Sequence, residues 1–198
     1  MTHPLLLAAA LAVGGCATPP DDTAPTAPTA MADSTQTLFT FDDDDESWTI
    51  QNDGVMGGRS TGSYEIDGGT LTFTGDVVTQ GGGFTSVLID HDADLSGTDG
   101  LELRVRGGGR TFEVEVDDGT RDSRGRQVSR RATFDTTDDW QTVRVPWSAF
   151  ETSVFGEPHD AAPLDAEAIQ AFGLYIIDGQ DGPFRLEVDR IAAYGGEG

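Results

Sequence analysis

The side chains with the most chemistry to offer stand in two glycine-framed stretches. In "NDGVMGGR", Asn52, Asp53, Met56 and Arg59 lie among Gly54, Gly57 and Gly58; in "IDGQDGPF", Asp178 and Gln180 flank Gly179. Asn and Asp close local hydrogen-bonded turns and glycine takes the positive φ that tight turns need, so backbone geometry alone accounts for Asn52, Asp53 and the glycines. Met56 and Arg59 are required by no turn. A flexible thioether beside a guanidinium suits an adaptable binding rim, and these six residues form the candidate binding set.

Catalytic chemistry finds little support. His3, His91 and His159 are isolated, with no partner at metal-ligand spacing. A G-x-S-x-G nucleophile pattern is absent, and in so acidic a chain any chosen pair of carboxylates is uninformative about glycoside chemistry. Asp42 to Asp45, in "FDDDDESW", are dense in the oxygen donors calcium prefers, but they lack the alternating ligands and turn glycine of an EF-hand loop and read as a solvated acidic turn. The basic island Arg121 to Arg131, "RDSRGRQVSRR", is expected to anchor neighbouring carboxylates. No catalytic centre, metal or cofactor is therefore expected.

The elements that would position these residues are strands. "SYEIDGGTLTF" reads as a hairpin turning at Asp67-Gly68-Gly69. "LELRVRGGGRTFEVEV" reads as a second hairpin, with Leu101, Leu103, Val105, Phe112, Val114 and Val116 inward and Glu102, Arg104, Arg106, Glu113 and Glu115 sharing a solvated outer face. A loop at Gly107 to Arg110 would then set Arg104 opposite Glu113. "WQTVRVPWSAF", "AFGLYIIDG" and "PFRLEVDRIAAY" supply further strands, the second apolar enough to be covered on both faces. "PLDAEAIQAF" is the one helical candidate, with Asp165 as cap and Leu164, Ala168, Ile169 and Phe172 at helical spacing. Nine to eleven short strands and one short helix predict an all-β jelly-roll sandwich.

Composition places the domain. The chain has 198 residues, 35 acidic and 12 basic, every basic one an arginine, for a formal charge of -23. That charge disfavours nucleic acid and anionic lipid surfaces as direct partners. An even acidic coat with no lysine fits a protein that works in high salt, and a salt-loving bacterium is the expected source. "PLLLAAALAVGGC" is an apolar run of signal-peptide length ending in small residues before the single cysteine, Cys16. Val13-Gly14-Gly15-Cys16 resembles a bacterial lipobox, which implies a lipidated Cys16. Residues 1–15 are thus read as a lipoprotein signal peptide, 16–36 as a Pro/Thr/Asp-rich tether too poor in large apolar groups to fold, and 37–196 as the jelly-roll domain.

Within that domain, Asn52-Asp53-Gly54-Val55-Met56-Gly57-Gly58, Gly82-Gly83-Phe84-x-Ser86 and Gly182-Pro183-Phe184-x-Leu186-Glu187, in that order along the strands, resemble the complex I intermediate-associated protein 30 family. The resemblance implies a galactose-binding-domain-like jelly roll without a catalytic centre that, in mitochondria, assists assembly of respiratory complex I. The chain departs from the family pattern at Arg59, at Gln80 and Gly81 before Gly-Gly-Phe, and at Gly108.

Two functional readings follow. The first is a lipid-anchored binding or assembly protein of the bacterial envelope, on its periplasmic or outer-membrane side, that engages another protein. Complex I assembly in the family's literal sense conflicts with the lipobox, because the enzyme's peripheral arm faces the cytoplasm. The second is a carbohydrate-binding module, which would need an exposed aromatic platform; Trp48, Trp140, Trp147 and Tyr175 lie in strand patterns and are expected to be buried.

Overall fold

The computed structural model describes residues 35–42 and 47–195. Cys16, the leader, nearly all of the tether and Asp43 to Asp45 lie outside the described residues. The strands are β1 (Thr35–Phe39), β2 (Thr49–Asn52), β3 (Thr61–Asp67), β4 (Thr70–Val77), β5 (Thr85–Ala93), β6 (Gly100–Arg106) and β7 (Thr111–Asp117). They continue as β8 (Ser129–Asp135), β9 (Gln141–Pro146), β10 (Glu151–Val154), β11 (Glu157–Pro158), β12 (Ile169–Ile176) and β13 (Gly182–Tyr194). β1 begins with Thr35 and Gln36, residues that the sequence places in the tether.

Two antiparallel sheets face each other. One runs β3-β4-β13-β6-β9, with β1 also paired to β13; the other runs β11-β10-β8-β7-β12-β5-β2. The alternation read from the sequence sets the faces: Leu101, Leu103 and Val105 of β6 point into the sandwich against Phe112, Val114 and Val116 of β7, all buried. Phe39, Phe73, Phe172 and Phe184 also belong to the core, with Phe73 and Phe184 meeting edge to face at 4.8 Å between centroids. Each such side chain contributes about 1.5–3 kcal/mol by leaving water.

The β3–β4 hairpin forms as expected. Gly68 and Gly69 at φ 54° and 76° supply the two left-handed positions that a two-residue turn between Asp67 and Thr70 demands. β12 is central to its sheet and buried over most of its length.

Three expectations are corrected. β6 and β7 are not a hairpin: β6 pairs with β13 and β9, and β7 with β12 and β8, so Gly107 to Arg110 carries the chain from one sheet to the other. Arg104 accordingly pairs with Asp189, not Glu113, and the two charged stripes lie on opposite outer faces. The helical candidate is a single 3-10 turn, Ala166–Ala168, capped as expected by Asp165, whose carboxylate accepts from the Glu167 N–H at 3.2 Å. Ile169 and Phe172 belong instead to β12, where a register irregularity between Ile169 and Ala171 lets residues three apart both reach the core. Finally, Trp48 and Tyr175 are buried, but Trp140 and Trp147 are only partly so.

Candidate functional site

β2 runs into a 3-10 turn, Asp53–Met56, that Gly57 ends at φ 88°, with the Gly58 N–H donating to the Asp53 carbonyl. The Asp53 side chain points inward and is fully buried. Its Oδ1 accepts from the Ser60 N–H at 3.0 Å; its Oδ2 accepts from the Ser60 hydroxyl at 2.7 Å and from the Gly83 and Phe84 N–H groups at 2.7 and 3.4 Å. Burial pushes this carboxyl up, but the donors from Gly83, Ser60 and Phe84 outweigh it and hold it below the usual range.

The neighbouring glycines answer to the same group. A Cβ on Gly58 would lie 2.2 Å from the Asp53 carboxyl carbon, and one on Gly82 2.3 Å from Oδ2. Asp53 thus staples the "NDGVMGG" corner to the loop at residues 78–84, and the glycines make room for it. Asn52 serves the same junction, its Oδ1 accepting from the Thr85 hydroxyl at 2.6 Å.

Met56 and Arg59 face the other way. Met56 is 69% exposed, and Arg59 reaches across the surface to donate to the Gln80 side-chain oxygen at 3.0 Å. The second glycine-framed stretch comes to the same end of the sandwich. The Thr79 N–H donates to Asp181 at 2.6 Å, so the 78–84 loop bridges the Met56 corner and the 178–183 loop. Arg110 holds that loop from the crossover between the sheets, donating to both carboxylate oxygens of Asp178 at 2.6 and 2.8 Å and to the Gln180 and Pro183 carbonyls. The Asp178 side chain is buried, and although burial raises its carboxyl, the Arg110 hydrogen bonds draw it below the usual range. The Gln180 N–H and amide both donate to Asp178, while Ile177 stands exposed beside them.

All six candidate residues therefore gather at one end, sorted by role. Asn52, Asp53 and Asp178 point into the structure and hold the loops. Met56 and Arg59 meet solvent, and Gln180 lies against Asp178 at the surface.

Three features escaped the sequence reading. On the outer face of the seven-stranded sheet, Arg131 donates to Glu115 at 2.5 Å, approaches Glu113 and covers the Tyr175 ring at 4.0 Å. Burial pushes both glutamates up against the pull of Arg131 and raises Tyr175 to about 12. On the outer face of the six-stranded sheet, Arg104 and Arg106 each stand 5.0 Å from the Trp140 ring. Phe155, 84% exposed, tips the β10–β11 turn at φ 53° with Arg126 beside its ring. The expectation for the basic island holds for most of it: Arg121 pairs with Asp117, Arg126 with Asp122, and Arg130 with Asp118 in a fully buried ion pair. Among the described residues no three His, Cys, Asp or Glu side chains converge as a metal shell would, and no helix is long and apolar enough to cross a membrane.

Comparison with known proteins agrees with this architecture. The family model for Complex I intermediate-associated protein 30 matches residues 37–188. The mitochondrial Complex I intermediate-associated protein 30 of Mus musculus is 36% identical over 104 residues, covering 51% of this chain and 32% of the mouse protein. Among solved structures, the Family 11 Carbohydrate-Binding Module of the cellulosomal cellulase Lic26A-Cel5E of Clostridium thermocellum superposes with a TM-score of 0.61 at 15% identity, covering 83% of this chain and 96% of that one. The agarase AgWH50C superposes with a TM-score of 0.55 at 15% identity over 82% of this chain and 25% of its own. At such identities the likeness is one of fold.

Proposed function

Because the chain belongs to the Complex I intermediate-associated protein 30 family, we propose that it is a non-enzymatic binding and assembly protein, tethered to the bacterial envelope through lipid on Cys16, whose jelly roll engages a protein partner at the end bearing "NDGVMGG". The carrying observation is Met56: a large apolar side chain, 69% exposed, on a turn that the buried Asp53 carboxylate holds in place. A partner docking there meets a pre-ordered loop, so little ordering entropy opposes binding. Ile177 adds apolar surface to the same end, and Arg59 a polar rim.

The test places a photo-crosslinking residue at position 56, and at exposed Thr142 as a control, in cells carrying Cys16 or Cys16→Ser. The expected result is one discrete protein adduct from position 56, none from position 142, and loss of membrane fractionation in the Cys16→Ser cells. Equal labelling from both positions, or none from 56, overturns the partner site; identical fractionation overturns the anchor.

The carbohydrate reading rests on the polar outer face around Glu113, Glu115, Arg131 and Tyr175, on a fold shared with carbohydrate-binding modules. It is the weaker one, because Arg131 covers the Tyr175 face and Arg104 and Arg106 stand over Trp140, where a sugar platform would offer bare rings. Retardation by mixed-linked β-glucan in affinity electrophoresis would reverse that ranking.

A further inference from the structure

On the outer face of the seven-stranded sheet, strand register lays two neighbouring rows of side chains across the strands. One runs Glu151 (β10), Arg131 (β8), Glu115 (β7), Gly173 (β12), Leu88 (β5); the other runs Thr133, Glu113, Tyr175, Ser86 over β8, β7, β12 and β5. Gly173 leaves a gap in the first row. A Cβ there would lie 2.5 Å from Leu88 Cδ2 and 3.1 Å from Tyr175 Cε2, so the Tyr175 ring leans over the glycine and lies buried. From two strands away, the Arg131 guanidinium reaches past Glu115 and stands 4.0 Å from the centre of that ring.

Carboxylates hold it there. Arg131 Nε donates to Glu115 at 2.5 Å, and Nη1 stands 3.8 Å from Glu113. Glu115 is also hydrogen-bonded by the Tyr175 hydroxyl and accepts from the Gln127 amide at 3.5 Å. The charged groups around this arrangement come from five elements. β7 supplies Glu113, Glu115 and Asp117, β8 supplies Arg131, β10 supplies Glu151 and β5 supplies Asp90, one row beyond in register with Asp117 across Ala171. Arg121, from the 118–128 loop, is spent on Asp117. Glu113, Glu115 and Glu151 are therefore left to share one guanidinium. Burial, joined by repulsion from neighbouring carboxylates, outweighs Arg131 and lifts Glu113 and Glu115 above the ordinary glutamate range. Tyr175, held up at about 12, keeps its proton while they titrate.

We propose that Arg131 is an acid-released cover: protonation of Glu113 and Glu115 removes the charges that hold it, the guanidinium turns out into solvent, and the Tyr175 ring is bared beside Phe84, whose centroid lies 6.4 Å away. With its side chain only 24% accessible, Arg131 is a largely desolvated cation, and once its partners are neutral little repays that cost. The device is independent of what docks at Met56. It bears on the carbohydrate reading, since the ring that Arg131 covers at neutral pH lies open in acid.

The test is NMR on the full chain, titrated from about pH 7.5 to about pH 4. It follows the carboxyl carbons of Glu113 and Glu115, the Arg131 Hδ protons, which a ring face shifts upfield, and the broadening of the Tyr175 ring protons by a neutral gadolinium chelate. In acid the upfield shift of Arg131 should be lost with the midpoint of one of the two glutamates, and the Tyr175 ring should begin to broaden while the buried Phe112 ring does not. The double variant Glu113→Gln, Glu115→Gln should show the released state already at neutral pH, with no further change in acid. Tyr175→Phe, which keeps the ring, should keep Arg131 upfield at neutral pH. Arg131 protons that stay upfield through both glutamate titrations, or in the double variant, overturn the proposal, as do protons that move only when the Phe112 signals collapse with unfolding. Should the double variant not fold, the parent titration decides by itself.

Discussion

Asp53 and Met56, three positions apart on one 3-10 turn, show how a single motif can be both corner and site. Asp53 is a buried carboxylate with no ion-pair partner among the described residues, stabilised by three backbone N–H groups and one hydroxyl. Removing it orphans those donors in the interior, and each loss of a buried hydrogen-bond partner costs about 1–3 kcal/mol. Asp53→Ala should therefore lower stability by about 3 kcal/mol in urea denaturation. The double variant Met56→Ala, Arg59→Ala should stay within about 0.5 kcal/mol of the parent, since both side chains are exposed. A double variant as destabilised as Asp53→Ala would mean that Met56 belongs to the packing of the corner and offers nothing to a partner. The sequence shows that polar turn formers and a methionine coexist here; it does not show which face the carboxylate takes. That depends on Gly58 and Gly82, twenty-four residues apart, both giving way to the same side chain.

At the scale of strands, the β3–β4 hairpin was legible because Gly68-Gly69 can close one kind of turn between two alternating runs. The β6–β7 connection misled for the same reason: alternation tells which side chains share a face, not which strand is the neighbour, and Gly107 to Gly109 can turn a hairpin or cross between sheets. In β12 the register irregularity put Ile169 and Phe172, three apart, both in the core, which copies helical spacing. The sharing of Glu187 by Arg106 and Arg185 was illegible because Arg106 reaches Glu187 only through the pairing of β6 with β13. The β10–β11 turn poses a different local conflict. Phe155 and Gly156 take φ 53° and 78°, a turn that favours Asn-Gly, and a left-handed backbone costs a bulky residue about 1–2 kcal/mol. With its ring 84% exposed, Phe155 recovers little by burial. Phe155→Asn should raise the melting temperature, consistent with a gain of about 1 kcal/mol; an unchanged or lowered midpoint would show that contact with Arg126 outweighs the backbone cost.

Over the whole molecule, charge sets the conditions under which these contacts operate. With 35 acidic and 12 basic residues, the arginines cannot neutralise the surface even when each is paired. Self-repulsion therefore opposes compaction in dilute buffer, and salt relieves it, since the screening length falls from about 10 Å at 0.1 M to about 3 Å at 1 M. Salt also weakens ion pairs, but exposed ones such as Arg144–Glu102 and Arg104–Asp189 are worth at most about 1 kcal/mol each. The pairs that matter most to the fold are sheltered from that loss: Arg130–Asp118 is fully buried, and Arg110–Asp178 nearly so. Relief of repulsion should therefore win, and the thermal midpoint should climb between low and molar chloride. The Arg130→Met variant sharpens the test, because it strands Asp118 in the interior. It should lose stability by a similar amount at both salt concentrations, whereas the parent gains with salt. A parent midpoint that stays flat or falls in molar chloride would mean that the acidic coat is too widely spaced to strain the fold, and the high-salt habitat would lose its physical argument.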